Sequence, residues 1–391
     1  MCRSLAAKTY LMVLICAALN LASRARAAEP LAESKPQYQF EGITIDAATA
    51  DEPLAPALSV QKAVGYLDQG ALAWSGSKKC VTCHTNGVYL TVRPALTARL
   101  GPPDAKVREF FVETLKQKQA AKPESLKKGT APEQVIYLAA GLAEWDRHVT
   151  GRLSPETDAA LKLMLAIQRD DGTWGAAACW PPYESDSYQP ATVAAMALAA
   201  APGWLENVKD ESLRAAVARL KKYLTTTEPP HDYGRVVLLW ASTRLPGILD
   251  KAQQAKLVDM LLKHQRADGG WSIRNFARPE QWGSGNRAAK LEAEPEFADP
   301  PSDGHMTGLA LVVLAESGLP KTDKRVQAGL DWLKTHQRAS GRWWTRSLNT
   351  DKFHFITFSG TAYPLLALSL YNAWPAPPAG STAALDAAGG R

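Results

Sequence analysis

Three stretches decide the fold: Gln168-Arg-Asp-Asp-Gly172-Thr-Trp174, Gln265-Arg-Ala-Asp-Gly269-Gly-Trp271 and Gln337-Arg-Ala-Ser-Gly341-Arg-Trp343. The Gln-to-Gly and Gln-to-Trp spacings are the same in all three, and each stretch closes an amphipathic segment of helical period. A phrase that returns after tens of residues marks a repeated supersecondary unit, so it constrains the architecture before any residue is read for chemistry. A worn copy, Tyr66-Leu-Asp-Gln69 ahead of Trp74, extends the series towards the N-terminus.

Between the phrases two kinds of helix alternate. One is amphipathic: Leu213, Val217, Leu220 and Leu224 fall at helical spacing, with Arg214, Arg219, Lys221 and Lys222 elsewhere around the helix. The other is apolar nearly all round, as in the runs 191–201, 236–241, 306–315 and 362–370. A helix without a polar face must be buried among other helices. Pairing each amphipathic helix with the apolar one after it gives about six units, near 60–98, 105–147, 155–201, 211–244, 252–316 and 323–373. Strand signals are nearly absent. The expected fold is therefore all-α, a closed α/α toroid over 59–374 with the apolar helices as its inner ring. An open helical solenoid is the alternative, but it would not bury one helix of every pair on all sides. At 391 residues and 46% hydrophobic content the chain can fill one such core.

The ends are different in kind. Residues 1–27 read as a cleaved export signal: Arg3 and Lys8 open it, an apolar run from Leu11 to Leu19 follows, and Ala25-Arg-Ala27 is a small-residue cleavage site. The run is too short to span a bilayer, so no membrane span is expected after cleavage. A lipoprotein signal at Cys16 is the weaker reading, because Ile15 is bulky for the residue before a lipidated cysteine. Residues 28–58 read as a flexible lead-in and 375–391 as a disordered tail. The signal holds Arg3, Lys8, Arg24 and Arg26 and no acids, so the formal charge of +6 falls to 6 − 4 = +2 in the mature chain. That balance gives no reason to expect nucleic-acid binding. The mature chain keeps only Cys80, Cys83 and Cys179, too few for a disulfide scaffold in the periplasmic or secreted location implied.

The Gln–Gly–Trp phrases resemble the repeats of the terpenoid-cyclase and protein-prenyltransferase superfamily. The last unit is the nearest likeness: Gly329-Leu-Asp-Trp332-Leu333 precedes Gln337, and Phe358-Ser-Gly-Thr-Ala-Tyr-Pro364 is similar to a Thr-Gly-Thr-Gly-Phe-Pro segment of squalene–hopene cyclases. The resemblance covers 155–373 well and 60–150 loosely. It implies that Gln168, Gln265 and Gln337 cap neighbouring helices and that Trp174, Trp271 and Trp343 pack against them. It also implies an apolar, isoprenoid-type ligand in the cavity. The departures weigh against squalene cyclisation itself, which needs an acid in a D-x-D-D cluster. Asp170-Asp171 lie in a repeat turn, Glu184-Ser-Asp186-Ser is the nearest imitation, and the length suits one toroid rather than two.

Cys80-Val-Thr-Cys83-His84 is the sharpest chemical motif. Two thiols at this spacing can form thioethers to haem vinyl groups, and the following His can ligate the iron. The alternatives are a Cys80–Cys83 disulfide, or zinc held with His84 and Cys179. His231, His305, Met306 and His354 are candidates for a distal ligand. A second constellation is positional, because the inner helices start with polar residues: Asp186 and Gln189, His231 and Asp232, Asp303 and His305, His354 and Thr357. Helix starts in a toroid gather at one mouth, where these groups form either the polar rim of a greasy funnel or plain helix caps. Asp186, Asp232, Asp303 and His305 are the catalytic candidates. The resemblance to prenyltransferase β subunits further implies zinc on Asp303, His305 and His354, with His305 where that family has Cys. The long segment 276–302 reads as a lid or as mobile filler, and Trp180, Tyr183 and Tyr188 either line the same mouth or pack on its rim.

Three functions follow as expectations. The first is a haem c protein with a redox partner and an apolar ligand. The second is a toroid enzyme without haem, zinc-dependent, cyclase-like or polysaccharide-cleaving through its rim acids. The third is a rigid binding cup.

Overall fold

The computed structural model describes residues 35–176 and 180–374. The export signal, most of the expected lead-in's first residues, the tail and Cys179 lie outside the described residues. Contacts divide the chain after Pro36, and the architecture below is that of the unit beginning at Gln37.

Twelve helices make two rings, numbered here in chain order with short helical turns left unnumbered. The odd-numbered helices are α1 (Val60–Lys78), α3 (Ala105–Ala120), α5 (Pro155–Ala166), α7 (Glu211–Thr226), α9 (Lys251–Lys263) and α11 (Lys324–Thr335). The even-numbered ones are α2 (Asn86–Val92), α4 (Ala131–Trp145), α6 (Tyr188–Ala200), α8 (Asp232–Arg244), α10 (Gly304–Glu316) and α12 (Ile356–Leu370). The six pairs coincide with the six expected units. Every odd helix starts behind a Ser or Asp side chain (Ser59, Asp104, Ser154, Asp210, Asp250 or Asp323) that accepts a first-turn N–H. These helices bury one face only; in α7 it is Ala216, Val217, Leu220 and Leu224. The even helices are buried nearly all round, as α10 is from Gly304 to Leu314. They pack in the order α2, α4, α6, α8, α10, α12, and α12 returns to α2, so the inner ring is closed. The open solenoid is thereby excluded.

The three sequence phrases are the mortar of the outer ring. Each Trp indole N–H donates to a carbonyl ten residues back in its own helix: Trp174 to Met164, Trp271 to Leu261 and Trp343 to Leu333, all at 2.8 Å. Each Gln amide donates both to its own turn glycine's carbonyl and to the next odd helix: Gln168 to Ala216, Gln265 to Arg325 and Gln337 to Ser59. The turn glycines have φ of +88°, +90° and +95° and press on the backbone or side chains of those same helices. Since Ser59 caps α1, the third phrase joins the last unit to the first. The worn copy differs: Gln69 and Trp74 lie inside α1, with no turn between them.

The lead-in also departs from expectation. Two short strands, β1 (Tyr38–Phe40) and β2 (Ile43–Ile45), pair antiparallel with Tyr38 opposite Ile45. Tyr38 is buried against Tyr66, Trp74, Phe355 and Phe358. Further on, Arg342 reaches the Asp46 carbonyl and the Glu52 carboxylate, and Ala55 N–H donates to the Gln337 carbonyl. A Pro- and acid-rich composition suggested loose chain; one aromatic anchor and a run of backbone bonds tie it down instead. No helix among the described residues is long and apolar enough to cross a membrane.

Candidate functional site

The CxxCH segment occupies the turn from α1 to α2, where the later units carry their Gln–Gly–Trp phrases. Lys79 ends α1 in the left-handed region at φ +51° and turns the chain towards Cys80. Asn86, the first residue of α2, then pinches the loop shut. Its Nδ2 donates to the Cys80 carbonyl at 3.1 Å, and its Oδ1 accepts from Thr82 N–H at 2.9 Å. Trp74 Nε1 donates to the same Cys80 carbonyl at 3.2 Å. Sequence reading passed over Asn86; an Asn just after the motif and at a helix start was the available signal.

His84 is buried in an aromatic box. Phe355 stacks on it at 4.8 Å, Trp74 meets it edge-on at 4.7 Å, and Trp180 lies 5.9 Å away. Nδ1 is 2.8 Å from Thr85 Oγ1, which in turn lies 3.2 Å from the Tyr38 hydroxyl. Burial without a compensating charge brings the His84 pKa down to about 3, so the ring is neutral at neutral pH. Both thiols are free. Cys83 is buried and donates its S–H to Glu184 Oε1 at 3.2 Å; burial and the Glu184 charge push its pKa well up. Cys80 is half-buried and is also shifted up by burial.

The inner-helix starts do gather on one side of the ring, and many of their polar groups act as caps. Asp186 Oδ1 accepts from Tyr188 and Gln189 N–H at 2.7 and 3.1 Å. His231 Nδ1 accepts from Gly234 N–H at 3.0 Å, so this histidine too is a cap; its Nε2 lies 3.4 Å from Asp186 Oδ2. Asp232 pairs with Arg235 at 2.7 Å and with His264 at 2.8 Å. Asp303 accepts from Met306 N–H at 2.9 Å and Ile273 N–H at 2.7 Å, and burial raises its pKa to about 6. His354 Nδ1 accepts from Ser347 N–H at 2.9 Å, and burial lowers its pKa to about 4. Thr357 Oγ1 donates to the Thr345 carbonyl. The proposed zinc ligands Asp303, His305 and His354 thus have separate hydrogen-bond partners. Among the described residues no group of three or more His, Cys, Asp and Glu is placed to hold a metal ion.

His305 caps no helix N–H and instead joins a chain of hydrogen-bonded side chains. Its Nδ1 is 2.8 Å from Ser359 Oγ, which also bonds the Tyr183 hydroxyl, and its Nε2 is 3.2 Å from the Tyr233 hydroxyl. Four buried side chains from four segments therefore form one chain across the mouth. Burial brings His305 down to about 3, so a neutral imidazole donates to one neighbour and accepts from the other. Trp282, from the long segment 276–302, is buried 4.8 Å from His231 and 5.7 Å from Tyr233, which makes that segment a cover over this end.

Beneath the cover the ring axis is nearly filled. The cavity there has a volume of about 30 Å³ and is lined by Tyr137, Gln189, Tyr233, Trp240, Arg244 and Tyr363 among others. That suits a water or two rather than a terpenoid chain. Ala140, Val193, Met196, Ala197 and Val237 keep the cavity wall largely apolar, as expected, with the tyrosines at one end. At the other end Arg244 holds Glu144 and Glu316 at 2.5 Å each.

No protein-family model matches the chain, and no curated protein matches it. Among solved structures, ent-copalyl diphosphate synthase from Streptomyces platensis is similar to this chain with a TM-score of 0.40 and 17% identity. The match covers 71% of this chain and 53% of that one, so this chain spans about half the length of that enzyme.

Proposed function

We propose that this protein is an exported redox protein carrying haem c on the turn between α1 and α2. The observation that supports the reading is His84: a neutral imidazole, fixed through Nδ1 on Thr85 and boxed by three aromatic rings, directly after two free thiols four residues or fewer away. That donor set fits a covalently attached haem. Cys80 and Cys83 would each add S–H across a vinyl group, sulfur to one carbon and hydrogen to the other, with no oxidant consumed. His84 Nε2 would hold the iron. Haem so bound supplies one-electron transfer, and the half-buried Cys80 side of the turn would be the approach for a redox partner.

The test is expression in a host that matures c-type cytochromes. The expected sample is coloured, keeps its Soret band after denaturation, and loses it on Cys80→Ala. Colourless protein from such a host would overturn the proposal.

A second reading, a haem-free toroid enzyme, draws on the Tyr183–Ser359–His305–Tyr233 chain and on Asp303, whose pKa of about 6 suits proton transfer near neutrality. Zinc in colourless protein, lost on His305→Ala, would favour the metal form of that reading. An isoprenoid ligand would need Tyr137, Tyr233 or Tyr363 to move out of the axial cavity; organic extraction of purified protein tests for it directly.

A further inference from the structure

A cleft of about 250 Å³ lies away from the CxxCH turn, between the second and third Gln–Gly–Trp turns and the end of the 276–302 segment. It shares no residue with the proposed haem site. Trp332 and Trp344 form part of its wall, and carboxylates and guanidiniums face it together. Their states of satisfaction differ.

The carboxylates are mostly taken. Asp303 accepts from two backbone N–H groups, as above. Asp268 Oδ1 accepts from Gly270 N–H and Ser302 Oγ, and its Oδ2 accepts from Trp332 Nε1. Both Glu294 oxygens are held by Arg274, at 2.5 and 2.7 Å. Glu296 stands exposed at the rim. Two cations, by contrast, have donors to spare. Arg346 makes no ion pair or side-chain hydrogen bond among the described residues. Arg338 gives Nη1 to the Glu52 carbonyl and keeps its Nη2 free of any hydrogen bond or ion pair among the described residues, while its Nε is buried away from the cleft's open space. The Glu52 carboxylate nearby is already engaged by Arg342 and by Ser340 N–H.

With Asp268, Glu294 and Asp303 already engaged, Arg274 spent on Glu294 and Glu296 out at the rim, the donors left open in the cleft are those of Arg346 and Arg338, which suit a ligand that brings oxygen acceptors. We propose that this cleft binds a small molecule bearing a carboxylate or phosphate group, the anion held by Arg346 and Arg338 and a planar body lying along Trp344. The proposal is independent of the haem reading and of any activity.

Benzoate, phenyl phosphate and the neutral benzyl alcohol serve as probes, titrated calorimetrically and by tryptophan fluorescence. One or both anions should bind at millimolar concentration or tighter, and which of them binds better separates the carboxylate source from the phosphate source. Because charge-assisted contacts are lost, Arg346→Gln should weaken binding by about tenfold or more. Since Arg346 holds nothing else together, the thermal midpoint should not move. The Arg338→Gln variant, which also loses a bond to the lead-in, checks the second donor. Benzyl alcohol binding as well as the anions, unchanged affinity in Arg346→Gln, or no binding by either anion would each overturn the proposal.

Discussion

Glycine 341 illustrates how little a residue's identity says without its neighbour. Its φ of +95° favours glycine, and a Cβ there would sit 2.5 Å from Lys62 Cβ and 2.6 Å from the Lys62 carbonyl carbon, at the seam where the last unit meets the first. Strain and clash act together, so Gly341→Ala should cost about 1–3 kcal/mol, read from the denaturant midpoint. An unchanged midpoint would mean the seam is looser than described. His305 makes a pH prediction. Its folded pKa of about 3 lies below the unfolded value near 6.5, so below that pH the unfolded chain takes up a proton that the folded one refuses. The stability associated with a neutral His305 is complete above pH 6.5 and is lost as pH falls towards 3. Asp303 acts in the opposite sense: with its pKa raised from 3.8 to about 6, it contributes most below 3.8 and loses that contribution as pH rises through 6. His84 and His354 add to the His305 side, so the net expectation is acid destabilisation. Replacing His305 by Gln should flatten stability against pH by about 1.4 kcal/mol per unit between pH 6 and 4. Parallel curves for the two proteins would remove His305 from the account.

At the scale of elements, the helices were legible and the strap was not. Each odd helix announces itself by an apolar stripe and a Ser or Asp cap, and each even helix by an unbroken apolar run; both signals are local. The β1–β2 hairpin has three residues a side, and what fixes it is distant: Tyr38 under Trp74 and Phe358, and Arg342 across to Asp46 and Glu52. Such contacts leave no periodicity in the sequence. Tyr38→Ala should therefore destabilise the toroid by about 3 kcal/mol, as other buried aromatic truncations do, measurable by urea unfolding. A strap that merely rests on the surface would give less than about 0.5 kcal/mol, the range of surface substitutions. The same distance explains the misread worn copy. Gln69 and Trp74 stand five residues apart where the phrases have six, and Ala73 stands where the phrase has its turn glycine, so the helix runs on and Trp74 turns to the Cys80 carbonyl instead.

Over the whole molecule, closure is made twice: in the outer ring by Gln337 on Ser59, and in the inner ring by α12 against α2. Arg244 adds a tie across the axis, since α4 and α8, which carry Glu144 and Arg244, are separated in the ring by α6. Arg244→Leu would leave Glu316 without its guanidinium and Glu144 with only His148 beside it, and should cost about 3–5 kcal/mol. A milder loss in calorimetry would indicate that water reaches those carboxylates. The sequence by itself determined the unit count, the alternation of ring helices and the three turns, because spacing along one chain is all that those features need. It also singled out Cys80, Cys83 and His84. Only the tertiary structure decided what surrounds them: the aromatic box from Trp74, Trp180 and Phe355, and Glu184 on the Cys83 thiol. It likewise made caps of Asp186, His231 and Asp303 and a relay of His305. The reason is physical: a polar residue at a helix start has the same sequence signature whether it meets an N–H of its own first turn, as Asp186 and His231 do, or side chains of other inner helices, as His305 does at Ser359 and Tyr233.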